Sequence, residues 1–234
     1  MAYADALRLS TVKFNDVANL VEGVITRVWG GTTAGSAAAY TASVAPVPTG
    51  YAVGMILSFL PHVANSGTCT LNLNGLGARN ILYGGYNLGP RQLLPNALAT
   101  AVYDGTYWHL LNESGGLTTY TLGVSGDGTM PFAAATVDRA VYLVRGDLAW
   151  VSVSLVGTTS GTASTTVGVG LPVAASQDNQ PFATLVQDGA GWRPGVGYVP
   201  SSNFSAVTVA KSDGTNWGLG AGRRVSLAGW YRRA

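Results

Sequence analysis

Charged residues are scarce in this sequence, and their scarcity limits what the chain can be. Lys and Arg number 13 and Asp and Glu 11, which is 10% of the 234 residues, whereas 47% are hydrophobic. A compact monomer of this length exposes about 10,000 Å² of surface, which leaves about 400 Å² for each charge. Soluble monomers are usually charged more densely. We therefore expect a surface rich in neutral polar residues, with much of it buried between subunits of an oligomer.

Other absences argue against further function classes. The net charge is +2 and no Lys/Arg stripe occurs, so nucleic acid is not an expected partner. Cys69 is the single cysteine, which excludes an intrachain disulfide and a Cys/His zinc site, and we expect no cofactor and no metal. Because Cys69 alternates with Leu71 and Leu73, we predict that it is a small buried core residue.

The sequence has no recognisable targeting or membrane-spanning segment. Residues 1–10, MAYADALRLS, lack the basic and then apolar pattern of a signal peptide. The longest apolar run, 51–60, is too short to cross a bilayer and is interrupted by Gly54. We expect synthesis in a cytoplasm and no insertion into a membrane. Action outside a cell would then require release as part of a particle.

Catalytic motifs are also missing. The sequence contains no G-x-S-x-G elbow, no H-E-x-x-H pair and no P-loop. His62 has no acid or nucleophile beside it in sequence, and His109 falls on a predicted strand, where a structural role is expected. Polysaccharide cleavage needs two carboxylates about 5–10 Å apart, and the spacing of Asp178, Asp188 and Asp213 does not indicate such a pair. We predict that the protein is not an enzyme, with a polysaccharide depolymerase as the lesser alternative.

One amphipathic helix is predicted, over residues 12–28. Its apolar residues recur at alternating spacings of three and four, as in a coiled coil. They are Phe14, Val17, Val21, Val24 and Val28. Gly23 weakens this helix by about 1 kcal/mol. The helix either packs on the following β domain or forms a bundle with copies of itself. In both arrangements segment 1–29 is an anchor that positions the protein on its assembly.

From residue 30 onward the pattern has the period of two that is typical of strands. Asp104-Gly105 separates two apolar runs and predicts a hairpin turn. A Gly-rich joint at 114–116 predicts a boundary between a β module, 30–114, and a second domain, 115–234. The alternating runs of this second domain include 149–155, 206–210 and 225–231. Their close spacing favours a β-sandwich of the jelly-roll kind.

An ordered set of motifs occupies residues 30–112. In chain order they are a Gly-Thr-rich opening with Ala39-Tyr40-Thr41, then Thr49-Gly50-Tyr51 and Gly54-Met55, then Asn65-Ser66-Gly67 and the run TLNLNGLG at 70–77, and finally YDGTYW at 103–108 with Leu110-Leu111. This set resembles a module common in phage tail fibres. The resemblance implies a protein that attaches virions, or virus-like particles such as gene transfer agents, to bacterial surfaces.

The second domain carries its own resemblance. The segments that carry it are YLVRGDLAWVS at 142–152, GVGLP at 168–172 and LAGWYR at 227–232. They resemble parts of the domains at the tips of phage fibres and spikes, which are similar to C1q- and TNF-like jelly rolls and are generally trimeric. The resemblance implies a homotrimer whose receptor-contacting end lies in this domain.

The pattern Asp-Gly-x-x-Trp occurs three times, at 104–108, 188–192 and 213–217. One interpretation is structural: each Asp-Gly makes a tight turn, and the Trp packs over it. The other is functional, because aromatic rings stack on the C–H faces of sugars and short polar groups bind their hydroxyls. Gly- and Pro-rich loops of the second domain would present both kinds of group. The predicted carbohydrate-binding residues are Asp188, Trp192, Arg193, Tyr198, Asp213, Asn216 and Trp217.

Two Arg-containing segments allow alternatives. The arginines 223, 224, 232 and 233 either keep an edge strand soluble or bind anionic groups such as phosphate or uronate. Arg145-Gly146-Asp147 spells an integrin-binding tripeptide, but its place between two β runs predicts a hairpin turn.

The sequence therefore predicts an all-β protein with a short N-terminal helix, a fibre-type β module and a jelly-roll-like β-sandwich tip. Its expected role is receptor binding without catalysis, in a tail fibre, virion spike or head fibre. It would attach the particle to bacterial surface polysaccharide through several weak sites acting together. Its expected location is the virion surface, and its expected partners are copies of itself and other virion proteins. The main alternative is a purely structural virion component that decorates or connects its neighbours.

Overall fold

The computed structural model describes residues 27–127, 130–189 and 191–234. The predicted all-β class is confirmed for these residues: each regular element is a strand, and no helix that could span a membrane occurs among them. The chain divides into two compact units, one through Ser114 and the other from Gly115 onward.

The first unit is built on one nine-stranded sheet. Its strands are β1 (Arg27–Thr32), β2 (Ala34–Ser36), β3 (Ala39–Ala42), β4 (Ile56–Leu60), β5 (Thr70–Leu73), β6 (Arg79–Tyr83), β7 (Tyr86–Asn87), β8 (Ala99–Tyr103) and β9 (Trp108–Leu110). Their order is β1-β4-β8-β9-β6-β5-β3-β2, with β7 paired to β6. The β1–β4, β3–β5 and β6–β9 pairs are parallel, so this unit is not a simple series of hairpins.

The core of the first unit follows the period of two seen in the sequence. Cys69, Leu71 and Leu73 are buried together, as predicted, and burial raises the pKa of the Cys69 thiol to about 12. Asp104-Gly105 forms the predicted turn between β8 and β9, which places Tyr103 opposite Trp108. The Trp108 ring is buried, with its centroid 5.3 Å from that of Tyr103.

The predicted helix is wrong at its end. Residues 12–26 of that prediction lie outside the described residues, but 27 and 28 belong to β1, which runs parallel to β4 with Val28 opposite Leu57. β-Branched and aromatic residues such as Val28 and Trp29 fit a pleated, half-buried surface, and pairing with β4 overrides the local helical spacing. The first unit therefore includes residues before the predicted boundary at 30.

The second unit contains a nine-stranded sheet of longer strands. They are β10 (Thr118–Thr119), β11 (Val124–Gly126), β12 (Phe132–Arg145), β13 (Leu148–Thr159), β14 (Thr166–Gly170), β15 (Pro181–Gln187), β16 (Trp192–Tyr198), β17 (Ala206–Lys211) and β18 (Gly220–Arg232). Their order is β10-β12-β13-β18-β15-β16-β17-β14-β11. The sheet curls, because buried side chains from its β13–β18 half and its β14–β17 half share one hydrophobic core.

Two turn and edge predictions have clear outcomes in this unit. Arg145 pairs with Leu148, so Gly146-Asp147 is a two-residue hairpin turn, and the left-handed φ of 58° at Gly146 suits such a turn. The edge-strand interpretation of the Arg cluster is wrong. β18, which carries Arg223, Arg224 and Arg232, pairs with β13 on one side and β15 on the other, so it is an interior strand.

Gly157 in β13 makes room for a core aromatic ring. A Cβ at Gly157 would lie 2.4 Å from Phe132 Cζ and 2.9 Å from the Ala133 carbonyl oxygen. Phe132 is itself buried and its ring lies 6.4 Å, centroid to centroid, from that of Trp217. This end of the core is therefore filled by two aromatic side chains, of which Phe132 needs the glycine beneath its ring.

Gly157→Ala is expected to lower the free energy of unfolding by about 1–3 kcal/mol, because overpacking a filled core displaces its side chains. Chemical denaturation of the wild-type and variant proteins measures the loss. Gly123→Ala is the matched control, since a Cβ there meets nothing within 4 Å and its effect should stay within about 0.5 kcal/mol. Equal losses in the two variants would contradict the packing of Phe132 over Gly157.

Candidate functional site

The hairpin between β15 and β16 presents Trp192 to solvent. Gln187 is directly opposite Trp192 in the strand pairing, and the turn between them contains Gly189 and Gly191, with left-handed φ values of 89° and 84°. The Trp192 side chain is 48% exposed. This exposure meets the first requirement for a ring that stacks on a sugar.

Asp188, the first residue of that turn, is committed to internal bonds. Its carboxylate lies 2.8 Å from Lys211 Nζ and 2.8 Å from Arg223 Nε, and it accepts the Gly218 N–H at 2.9 and 3.0 Å. Burial raises the pKa of Asp188. Hydrogen bonds from Lys211 and Gly218 and the charges of Lys211 and Arg223 outweigh burial, so the pKa lies below its ordinary value. Asp188 is therefore a structural anchor, and both oxygens of the carboxylate that was predicted to bind a sugar are bonded within the chain.

Trp217 is removed from the predicted site because its side chain is 0% exposed. It packs in the core beside Phe132, and its backbone N–H donates to the Ser164 carbonyl at 2.8 Å. Its indole N–H is buried and finds no hydrogen-bond partner among the described residues. A ring in this position cannot stack on a sugar. The Asp213-Gly214 turn is present, with a left-handed φ of 68° at Gly214, but the Trp217 ring packs against Phe132 of β12.

Strand pairing explains why two similar hairpins treat their Trp residues differently. Residues directly opposite each other in an antiparallel pair point to the same face of the sheet. Trp108 is opposite Tyr103, a core residue, and is buried. Trp192 is opposite Gln187 and is exposed. The residue before each Asp-Gly is therefore a sequence signal that separates the two cases.

The loop after β17 is polar and partly exposed. Asp213 accepts the Thr215 backbone N–H at 3.0 Å and the Thr215 hydroxyl at 2.7 Å, and these bonds, followed by the charges of Lys211 and Arg193, lower the Asp213 pKa. Arg193 Nη1 lies 3.9 Å from Asp213 Oδ2, which is a weak surface pair. The Asn216 carbonyl accepts a hydrogen bond from Lys211 Nζ. Arg193 and Asp213 are therefore brought together at this loop.

The remaining predicted residues are not all adjacent. Consecutive residues of a strand point to opposite faces, so Trp192 and Arg193 project to opposite sides of β16. Tyr198 has the same parity as Trp192 but is six residues further along β16, and at about 3.3 Å per residue it lies about 20 Å away. One sugar ring cannot contact both aromatic residues.

The sequence analysis did not predict an apolar surface on the outer face of the second unit's sheet, the face that points away from the core. Trp150 and Trp230 are directly opposite each other on this face. Leu185 and Val196 point the same way on β15 and β16, and both are exposed. We call these four residues the outer patch. The alternation of Trp150 with core residues of β13 was a usable signal, but the cross-strand partner Trp230 was not predictable from spacing.

Comparisons with known proteins do not assign this chain to a family. Neither a protein-family model nor a curated protein matches the sequence. Among the described residues, no group of three or more His, Cys, Asp or Glu side chains is placed to hold a metal ion.

Asp188→Asn is expected to reduce the free energy of unfolding by about 2 kcal/mol at neutral pH, because it weakens charged hydrogen bonds while Lys211 and Arg223 remain. The folded pKa of Asp188 is depressed, so its contribution is complete above the ordinary carboxyl pKa of about 4 and is lost as the pH falls through the folded value. Denaturation of wild type and variant from about pH 7 to about pH 2 tests this.

The difference between the two proteins should be constant down to about pH 5 and shrink below it. Asp213→Asn is the control, since this carboxylate is exposed and its loss should be smaller. An Asp188 variant as stable as the Asp213 variant would contradict the anchoring role.

Proposed function

We propose that the chain is a non-enzymatic attachment protein that binds an acidic surface polysaccharide through the exposed Trp192 hairpin of its second unit. In this proposal it is a homo-oligomer, a trimer, on the surface of a virion or gene transfer agent. The tail-fibre-like motifs of 30–112 and the tip-like segments of the second unit support this role. In the same proposal the first unit is a fibre-type module, the curled second unit corresponds to a jelly-roll tip, and segment 1–29 connects to other virion proteins.

The observation that carries the proposal is the row of side chains beside Trp192. Gln187 is opposite Trp192 in one strand pair and opposite Arg224 in the next, so an aromatic ring, an amide and a guanidinium lie side by side on one face. The ring offers a flat apolar surface to a sugar. Gln187 can donate to and accept from hydroxyls, and Arg224 suits the carboxylate of a uronate.

Arg224 remains able to bind an anion although it has an acidic neighbour. Its Nη1 lies 3.9 Å from Asp138 Oδ2, and both side chains are over two-fifths exposed. Exposed pairs of this length are screened by solvent and contribute little stability, so a ligand carboxylate can replace Asp138. Arg223, by contrast, is held by Asp188 and does not take part.

The outer patch supports the oligomeric part of the proposal. Trp230 is 47% and Leu185 49% exposed, next to Trp150 and Val196, on a chain with few charges to keep such a surface in water. Contiguous apolar patches larger than a few hundred Å² mark interaction sites on soluble proteins. A second copy of the chain would cover this patch and leave the Trp192 hairpin at one end. The same patch favours the second candidate function, a structural component that cements its neighbours.

Trp192→Ala is expected to abolish retention on uronate-containing polysaccharide, because the stacking surface is lost. Trp29→Ala is the matched control, since Trp29 is 56% exposed but lies in the first unit. Column retention and a glycan array measure the effect, with circular dichroism to check folding. Retention that is unchanged in Trp192→Ala would refute the site. Release of new reducing ends from the polysaccharide would show that the protein cleaves it, and this would refute the non-enzymatic proposal.

Leu185→Glu is expected to convert the trimer into smaller species, since a charge placed in a buried apolar contact is costly to desolvate. Leu219→Glu is the control, because Leu219 is exposed to a similar degree outside the outer patch. Light scattering or analytical ultracentrifugation gives the mass of each protein. A wild-type monomer would contradict the oligomer. A trimer that binds no polysaccharide would favour the structural component.

A further inference from the structure

A cavity in the first unit is not used by the site described above. It has a volume of about 250 Å³, and its lining residues are Asn80, Leu82, Gly85, Asn87 and Tyr107. It lies where β6, β7 and the start of β9 meet. None of the five lining residues is charged.

The hairpin between β6 and β7 forms one wall of the cavity. Gly84 and Gly85 make a two-residue turn with left-handed φ values of 58° and 84°, and this turn places Asn87 opposite Leu82. Asn80 is two residues before Leu82 on β6, so it projects to the same face. Two amides therefore flank an apolar side chain that forms the base of the cavity.

Strand β9 supplies the other wall. β6 and β9 are parallel, with Ile81 opposite Trp108 in the core. Alternation from Trp108 directs Tyr107 to the outer face, together with Leu82. The Tyr107 side chain is 40% exposed.

The backbone of Tyr107 is fixed by the preceding turn. Asp104 Oδ1 accepts the N–H groups of Thr106 and Tyr107, each at 2.7 Å, and the Asp104 N–H donates to the Tyr107 carbonyl at 3.1 Å. The second carboxylate oxygen of Asp104 lies 2.7 Å from His109 Nε2. A ring that starts from a fixed backbone loses little freedom when it binds a ligand.

From this arrangement we infer that the cavity is a second saccharide site, specific for a neutral pyranose ring. Leu82 and the Tyr107 ring give apolar surfaces for the C–H face of the sugar. Asn80 and Asn87 each carry both donors and acceptors, which is what ring hydroxyls and an N-acetyl group require. The volume is below the range of about 300–1,000 Å³ found for drug-sized ligands, and it suits one ring of a longer chain.

Electrostatics sets the preference for neutral sugars. No Lys or Arg side chain lines the cavity to balance an acidic group. Hydrogen bonds from the Tyr107 and Thr106 N–H groups and from His109 lower the pKa of Asp104 to about 2, so this carboxylate beside Tyr107 is negative at neutral pH. An anionic sugar would find no Lys or Arg among the lining residues here, whereas Arg224 would attract it to the Trp192 hairpin. The two sites are chemically distinct, and this inference does not rest on the proposed function.

The test uses the full chain on an array of neutral hexose and N-acetylhexosamine oligosaccharides together with uronate-containing ones. Titration calorimetry then measures the neutral oligosaccharide that is retained most strongly. Tyr107→Ala and Asn87→Ala are each expected to weaken its binding by about fivefold, because an aromatic or hydrogen-bonding contact is worth about 1 kcal/mol.

The matched control is Tyr86→Ala. Tyr86 belongs to the same hairpin and is 46% exposed, but it is opposite Tyr83 and so points away from the face of Leu82 and Asn87. This variant should bind within about twofold of wild type. No retained neutral oligosaccharide, or equal losses in Tyr86→Ala and Tyr107→Ala, would overturn the inference.

Trp192→Ala separates this site from the proposed one. It should leave neutral binding unchanged while retention of uronates disappears. A loss of neutral binding in Trp192→Ala would overturn the inference of a second site. A third outcome is that uronates bind neither the wild type nor Trp192→Ala, while binding of neutral sugars is lost in Tyr107→Ala. In that case the proposed function fails and the second site stands.

Discussion

The buried carboxylate of Asp188 is the interaction on which the candidate site depends. It joins the β15–β16 turn to Lys211 on β17, to Arg223 on β18 and to the backbone of Gly218. These bonds fix the loop that places Trp217 inside the core. They also hold the turn that precedes Trp192, so one internal anchor supports both segments that carry these indole rings. Asp188, which the sequence suggested as a sugar ligand, therefore organises the candidate site through bonds within the chain.

Local patterns in the sequence were sufficient for the fold class and for several turns. The period of two predicted strands, and the Asp104-Gly105 and Gly146-Asp147 turns follow from residues adjacent in sequence. The end of the predicted helix failed at Val28 because a distant strand, β4, provides its pairing partner. The prediction that Trp217 binds a sugar failed for a similar reason. The position of this ring depends on Phe132 of β12 and on the loop that Asp188 holds. Spacing within a segment carries no information about such partners.

The candidate surfaces differ in what each can recognise. In the second unit, Trp192 stands beside Gln187 and Arg224, which suits an acidic sugar, whereas the outer patch suits another protein surface. In the first unit, Tyr107 lines a cavity with two amides and no Lys or Arg, which suits a neutral sugar. If the chain forms the proposed trimer, a polysaccharide that contains both kinds of sugar would engage both proposed sites on several subunits, and linked weak contacts of this kind raise overall affinity without new interactions.

The most direct test of the central claim is an NMR titration of isotope-labelled protein with a uronate-containing oligosaccharide, observing the indole N–H resonances of the six Trp residues. Substitution by Phe assigns each resonance. If Trp192 stacks on the sugar, its resonance should shift in proportion to saturation, while those of the buried Trp108 and Trp217 stay in place. A titration in which Trp192 does not respond, or in which Trp217 responds instead, would contradict the account.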